Sequence, residues 1–232
     1  MNYFEFNGKK SYEYGLCVTG VNIYGAPSRI VEKIHVPYRN GDLLIDTGTY
    51  NNIIVSYTVG LVTVGETRNI ADWLLNTSGY KTLKDTYNSA EYRLGAYYGD
   101  LTYQMTMLYR YGSATISFDC KPQRYLTSGD TATTLTNGST TLTNPTNYES
   151  KPILEIQGNG TTTVNGYSIT VTDNASNTLI IDCDRMQCYR GTTNMNGSVT
   201  LTNGWPVLKS GNNTITLGTV TSIKVTPKWW QL

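Results

Sequence analysis

Hydrophobic and polar residues alternate along much of this chain with a period of two, the spacing that puts every second side chain on one face of a β-strand. Residues 3 to 36 hold three such runs, Tyr3 to Phe6, Leu16 to Val21 and Ile30 to Val36. A further run, Ile53 to Val59, is separated from the third by the turn residues Asn40-Gly41 and Thr47-Gly48. Asn-Gly suits a type I′ turn, because both central residues need positive φ and Gly and Asn tolerate it best. The stretch from Val36 to Tyr57 is therefore expected to form a long projecting hairpin. Such a hairpin has unpaired edge N–H and C=O groups that a monomer usually blunts with lysine or proline. Neither occurs between Asn40 and Val59. Two readings stay open: an ordinary solvated hairpin, or one that a neighbouring subunit covers.

The period changes to helical once. Ile70, Trp73 and Leu74 fall at i, i+3 and i+4, with Thr67 or Asn69 as the expected N-cap and Gly79 as the stop. Leu83 and Tyr87 then suggest another helical turn. Period two resumes through Tyr92, Leu94, Ala96 and Tyr98, through Tyr103, Met105, Met107 and Tyr109, and through Ala114, Ile116 and Phe118. From Thr127 to Ser150 large apolar side chains are few, which predicts either a linker or the flat outer strands of a second sheet, with a domain boundary near Ser128. Residues 151 to 226 show short strands divided by turn pairs such as Asn165-Gly166 and Asn196-Gly197, the pattern of a helix-free β-sandwich. The adjacent Trp229 and Trp230 cannot share one strand face, so one is expected inside and the other on a neighbouring surface.

Composition sharpens this picture. Of 232 residues, 15% are charged, below the roughly one quarter usual for globular domains, and 19 are tyrosines, which favours twisted sheets over helices. A net charge of +1 argues against gripping nucleic acid by phosphate neutralisation, yet leaves a neutral conduit open and makes close packing of identical subunits electrostatically cheap. The first residues contain no apolar signal-peptide core and no uninterrupted apolar run reaches membrane-spanning length, so a soluble chain made in the cytoplasm is expected.

Candidate chemistry is sparse. Cys17 and Cys120 stand alone and are expected to be buried thiols, while Cys183 and Cys188 have a C-x4-C spacing without a second pair, which favours inert strand thiols over zinc or a strained disulfide. The single histidine, His35, is placed on the polar side of a strand with no Gly-x-Ser-x-Gly element to partner it. Gly158-Asn159-Gly160 is expected to be a turn rather than a dinucleotide loop. Asp182 and Asp184 would share a strand face and lack companion acids for calcium or hydrolysis. No catalytic residue, cofactor or metal is expected. A carbohydrate-binding module is the alternative, with Trp205, Tyr189 and Tyr167 available for stacking on sugars.

An ordered series of short elements resembles the distal tail proteins (Dit) of long-tailed bacteriophages. It comprises Phe4-x-Phe6-Asn7-Gly8, Tyr14-Gly15-Leu16, Pro27-x-Arg29, Val36-Pro37-x-Arg39-Asn40-Gly41, Gly48-x-Tyr50, Trp73-Leu74 and Tyr92-Arg93. It continues through Ile116-Ser117-Phe118-x-Cys120-Lys121-Pro122-Gln123-Arg124, Trp205-Pro206-x-Leu208-x-x-Gly211-x-Asn213 and Thr226-Pro227-x-Trp229-Trp230. The series spans nearly the whole chain, and Lys-Pro-Gln-Arg and Pro-x-Trp-Trp are its most specific parts. Trp205 stands where Phe is common in that family, and Lys228 where Arg is. The resemblance implies a mainly β protein with a ring-forming (belt) domain over residues 1–126, bearing a long hairpin and one short helix. A galectin-like β-sandwich over 127–232 would follow, its last residues free to pack back at the domain junction. It further implies a homo-hexameric hub at the virion tail tip or baseplate, with a channel for DNA. The implied partners are the tail tube protein, the tail-associated tip protein and a receptor-binding protein. Arg39, Asn40, Gly41, Asp42 and Tyr50 are the expected ring-interface residues.

Overall fold

The computed structural model describes residues 2–22, 25–61, 67–106, 111–172 and 177–232. The chain divides into two compact units, Met1–Arg124 together with Leu232, and Tyr125–Gln231. It is mainly β, with one α-helix among the described residues.

The first unit contains β1 (Phe4–Phe6), β2 (Lys9–Lys10), β3 (Leu16–Asn22), β4 (Arg29–Ile34), β5 (Leu43–Tyr50), β6 (Ile53–Leu61), helix α1 (Thr67–Leu75), β7 (Lys81–Asp85), β8 (Glu91–Ala96), β9 (Tyr103–Thr106) and β10 (Tyr111–Leu126). The large sheet runs β2-β1-β7-β8-β10-β6-β3, with β9 also paired on β10. Alternation decides what each strand buries. Ala114, Ile116, Phe118 and Cys120 of β10 point inward beside Val55, Tyr57 and Val59 of β6, in the antiparallel register Ile116↔Tyr57 and Phe118↔Val55.

Aromatic rings fill the space beneath. Phe4 stacks on Tyr57 at 4.8 Å and on Trp73 at 5.7 Å, and Tyr14 covers the indole of Trp73 at 4.4 Å. Helix α1 closes the core with Ile70, Trp73 and Leu74, the helical face the spacing predicts. The Trp73 Nε1–H donates to the Phe6 carbonyl at 3.3 Å, so the buried indole is not left unpaired.

Several local expectations are corrected. The helix stops at Leu75, before Gly79; the Asn76 N–H donates to the Asp72 carbonyl and the Thr77 hydroxyl to the Trp73 carbonyl, at 3.1 and 2.9 Å, which satisfies carbonyls at its end. Thr67 is its first residue and Asn69 lies inside it, so neither caps it. Leu83 sits in strand β7, where pairing with β1 and β8 overrides any helical spacing. In β8 the core takes the register of Arg93, Gly95 and Tyr97, not that of Leu94, Ala96 and Tyr98: Tyr97 is buried while Tyr98 is 72% exposed. Gly95 suits this register, since it lies against Cys120 and Leu83, where a Cβ would come within 3.1 and 3.4 Å of their side chains. Met107 and Tyr109 lie outside the described residues. Cys17 is half-buried rather than buried.

The second unit contains β11 (Thr133–Leu135), β12 (Ser139–Asn144), β13 (Ile153–Gln157), β14 (Gly160–Val164), β15 (Tyr167–Val171), β16 (Thr178–Asp182), β17 (Gln187–Arg190), β18 (Thr193–Asn194), β19 (Val199–Thr202), β20 (Gly211–Thr216), β21 (Ser222–Thr226) and β22 (Trp230–Gln231). Two sheets, β11-β21-β13-β16-β17-β18 and β12-β20-β14-β15-β19, form a sandwich. The polar stretch after Thr127 is ordered: β11 and β12 supply an edge strand to each sheet. An edge strand buries less than a central one, so Leu135 and Leu142 suffice as anchors.

Leu154, Ile156, Leu179, Ile181, Ile223 and Val225 from one sheet face Val164, Ile169, Val171 and Ile215 from the other. Trp229 joins this core, while Trp230 stacks on Tyr148 at 4.6 Å and its Nε1–H donates to the Glu149 carbonyl at 2.9 Å, the split expected of adjacent indoles. Asn213, fully buried, accepts from the Lys209 N–H at 2.8 Å and donates to the carbonyls of Lys209 and Gly211 at 2.8 and 2.9 Å. Gly218 adopts φ +67°, and a Cβ there would lie 1.9 Å from the Thr161 carbonyl oxygen.

Phe118 touches Phe4, Phe6, Tyr57 and Tyr97, so Phe118→Ala is expected to destabilise the first unit by about 3–5 kcal/mol. Thr115→Ala on the exposed face of the same strand should stay within about 0.5 kcal/mol. Urea denaturation of the two variants checks the difference.

Candidate assembly surface

Among the described residues strands β4 and β5 pair only with each other, forming a two-stranded sheet apart from the large one. The hairpin therefore runs from Arg29 to Tyr50. Its second strand is Leu43–Tyr50, whereas the Ile53 to Val59 run lies in β6 between β10 and β3. The aromatic and aliphatic inner face of β6 explains the difference: Val55, Tyr57 and Val59 complete the core, which a free ribbon would leave wet.

Register fixes the ribbon's two faces. Ile34 opposes Leu43, and Glu32 opposes Ile45, so these four share a face with Ile30. Lys33 opposes Leu44 and Val31 opposes Asp46 on the other face, which His35 and Asp42 extend as a pair 3.4 Å apart. Ile30, Ile34, Leu43 and Ile45 are each 38–43% exposed, so one face is an uncovered aliphatic stripe. The opposite face carries Lys33, His35, Asp42 and Asp46 together with Val31 and Leu44, the last 56% exposed.

The expected interface residues fall at the two ends of this ribbon. Arg39, Asn40, Gly41 and Asp42 lie in the connecting loop and are exposed, while Tyr50 closes β5 beneath the Arg29 guanidinium, 5.6 Å from its ring centroid. Arg29 also forms an ion pair with Asp46. The loop is not a two-residue type I′ turn. It occupies residues 35–42; positive φ falls on Tyr38 at +63° and Gly41 at +81°, and Asn40 does not share it. Thr47-Gly48 is a bulge inside β5, where the Gly48 N–H donates to Asp46 Oδ1 at 2.8 Å and the Thr47 hydroxyl to the Ile30 carbonyl at 2.9 Å. Tyr38, wholly exposed at the tip, and the aliphatic stripe were the surface features that turn chemistry alone passed over; the period-two spacing of Ile30, Ile34, Leu43 and Ile45 was their signal.

The other candidates disperse. His35 sits in the loop just past β4 rather than on it. Asp182 and Asp184 do not share a face, because Asp182 Oδ1 accepts from the Asp184 and Arg185 N–H groups at 3.1 and 3.0 Å and turns the chain, while Asp184 pairs with Lys151 at 3.3 Å. Among the described residues no group of three or more His, Cys, Asp or Glu is placed to hold a metal ion. Gly158 and Asn159 connect β13 to β14, which Gly160 opens. Tyr167 lies on one sheet of the sandwich and Tyr189 on the other, and Trp205 packs against the core, so the three aromatics form no common platform. No described helix is long and apolar enough to cross a membrane.

Burial pushes the thiols of Cys120 and Cys183 up to about 12, and that of Cys188 to about 11. At pH 8 these remain protonated in the folded chain and become reactive only on unfolding. Maleimide labelling followed by mass spectrometry should modify Cys17 first and the other three only in denaturant.

No protein-family model matches the chain, and no curated protein matches it by sequence. Among solved structures it is similar to the SPP1 Dit protein (gp 19.1), described as a paradigm of the hub adsorption apparatus in phages infecting Gram-positive bacteria. The TM-score is 0.72 at 15% identity, over 100% of both chains. It is also similar to a chain of the phage P2 baseplate in its activated conformation with Ca, at TM-score 0.55, 11% identity and 98% of both chains. A chain of the phage p2 baseplate with Sr gives 0.53, 10% and 97% of both. From end to end, this chain has the fold of a phage tail hub protein.

Proposed function

We propose that the protein is a structural hub of a phage tail tip, forming a ring of its own copies between the tail tube and the tip or receptor-binding components. The observation that carries this reading is the two-stranded ribbon with an exposed aliphatic face, set in a fold shared over its full length with the SPP1 Dit protein. An isolated two-stranded hairpin is marginal in water, and among the described residues neither of its outer edges has a ladder partner. A head-to-tail contact that closes on itself covers such a ribbon on every subunit at once. The ring is taken as six-membered from the sequence resemblance, and the first unit, residues 1–126 in that reading, supplies it.

In this reading the stripe of Ile30, Ile34, Leu43 and Ile45 seats on the next subunit, and Arg39 to Asp42 and Tyr50 orient the two ends of the contact. The protein does no chemistry of its own. It is synthesised in the host cytoplasm and resides in the virion. DNA passes through the ring without tight binding, because a net charge of +1 leaves few counterions to release.

Leu43→Glu combined with Ile45→Lys should abolish the ring in sedimentation velocity while leaving the monomer's far-ultraviolet circular dichroism unchanged. Lys33→Ala on the opposite face should retain it, and equal sedimentation of all three proteins would sink the reading. Gly41→Val should also weaken assembly, since its φ suits a β-branched residue badly and the strain is about 1–3 kcal/mol. Fluorescence anisotropy at physiological salt should find no submicromolar affinity for DNA.

A further inference from the structure

Two pieces of the sequence series have no part in the ribbon: Tyr92-Arg93 and the arginine of Lys121-Pro122-Gln123-Arg124. They meet. Arg93 and Arg124 line one cavity of about 40 Å³ in the first unit, with Tyr57, Asp85, Asn88 and Glu91 among its other walls.

The hydrogen bonds around it are unevenly distributed. Asp85 Oδ2 accepts from the Tyr57 hydroxyl at 2.9 Å, and its Oδ1 from the Tyr87 and Asn88 N–H groups at 3.0 and 2.9 Å. Glu91 Oε2 accepts from Asn88 Nδ2 at 2.8 Å and lies 3.7 Å from Arg124 Nη1. Arg124 Nη2 donates to the Leu232 main-chain oxygen at 2.7 Å. The donors left over are both guanidinium nitrogens: Arg93 Nη2, on a side chain 8% exposed, whose Nη1 reaches the Pro122 carbonyl only at 3.5 Å, and the buried Arg124 Nε. A guanidinium cannot shed its charge at accessible pH, so a buried N–H without an acceptor is a standing penalty that a guest can remove. Burial and the nearby Arg124 both lower the Arg93 pKa, which marks two like charges held close.

We infer that this cavity is a binding site for a small carboxylate, whose two oxygens accept from Arg93 Nη2 and Arg124 Nε. The planar fork of a guanidinium matches a carboxylate, and the volume holds a group of a few atoms, given roughly 10–15 Å³ for one water on this measure. Asp85 and Glu91 oppose the guest's charge but are engaged with the donors named above, so the site is weak rather than closed to it. A ligand as small as formate binds at about millimolar strength at best. The carboxylate is either a free ion or an acidic side chain of a second copy, and the inference holds whether or not the ribbon forms a ring.

The probe is sodium formate added to the full chain with arginine side chains labelled by ¹⁵N, at constant ionic strength balanced by methanesulfonate. A saturable shift of the Arg124 Nε–H signal, weakened at least about tenfold in Arg93→Met, is the expected result. Arg124→Gln, a change at a less buried residue, should abolish saturation seen at Arg93 should Arg93→Met fail to fold. Absence of saturation in the wild-type chain, or equal affinity in a folded variant, overturns the site and leaves a pair of waters as its content. Where saturation occurs, formate that also dissolves the assembled form in sedimentation assigns the carboxylate to a neighbouring copy. Formate that leaves assembly intact assigns it to a free ion. The ribbon variants read assembly without touching this signal, so the two proposals fail separately.

Discussion

A β-strand has two faces, and burying one of them well obliges every neighbour to choose its register. Strand β10 imposes that obligation on the first unit. Ala114, Ile116, Phe118 and Cys120 occupy its inner face without interruption, so β6 must present Val55, Tyr57 and Val59 beside them. Phe4, Phe6 and Trp73 then fill the remaining volume. Slipping any of these strands by one residue would expose its whole apolar set. The sheet's apolar core is therefore spent on itself, and the ribbon of β4 and β5 receives none of it.

That division explains why the ribbon differs in character from the rest of the unit. Its aliphatic residues are as regular as those of β6, yet none of its side chains is buried. The bulge at Thr47-Gly48, the ion pair of Arg29 with Asp46 and the Arg29 guanidinium over Tyr50 hold its base. A surface built with core periodicity and left without a core partner is the kind that a second polypeptide completes.

Much of this was legible in the sequence because period two and period 3.6 report burial directly. The helix face of Ile70, Trp73 and Leu74, the inner face of β10 and the split between Trp229 and Trp230 are examples. Partner choice was not legible, since alternation says that Ile53 to Val59 is a strand and is silent about which strand it joins. Asn40-Gly41 misled for a related reason: turn propensity is local, and the eight-residue loop placed positive φ on Tyr38 instead of Asn40. In β8 the apolar alternation of Leu94, Ala96 and Tyr98 lost to packing, because the strand lies close against Cys120 at Gly95, where a Cβ would stand 3.1 Å from the sulfur. The arginine pair could not be foreseen at all. Its members stand 31 positions apart, and no spacing rule connects residues brought together across a sheet.

The same register argument places that pair. Arg93 occupies the inner face of β8 in line with Gly95 and Tyr97, a position that ordinary patterning assigns to an apolar side chain. A methionine there would fill similar volume with no donor to satisfy, and replacing buried charge by apolar bulk is often neutral or stabilising. Stability alone therefore does not account for a guanidinium at this point. Its neighbour Asp85 is saturated by Tyr57 and two backbone donors, so Arg93 is not held there as that carboxylate's counterion. What remains is the cavity itself, which Arg93 and Arg124 both line and which an aliphatic side chain at position 93 would leave with fewer donors.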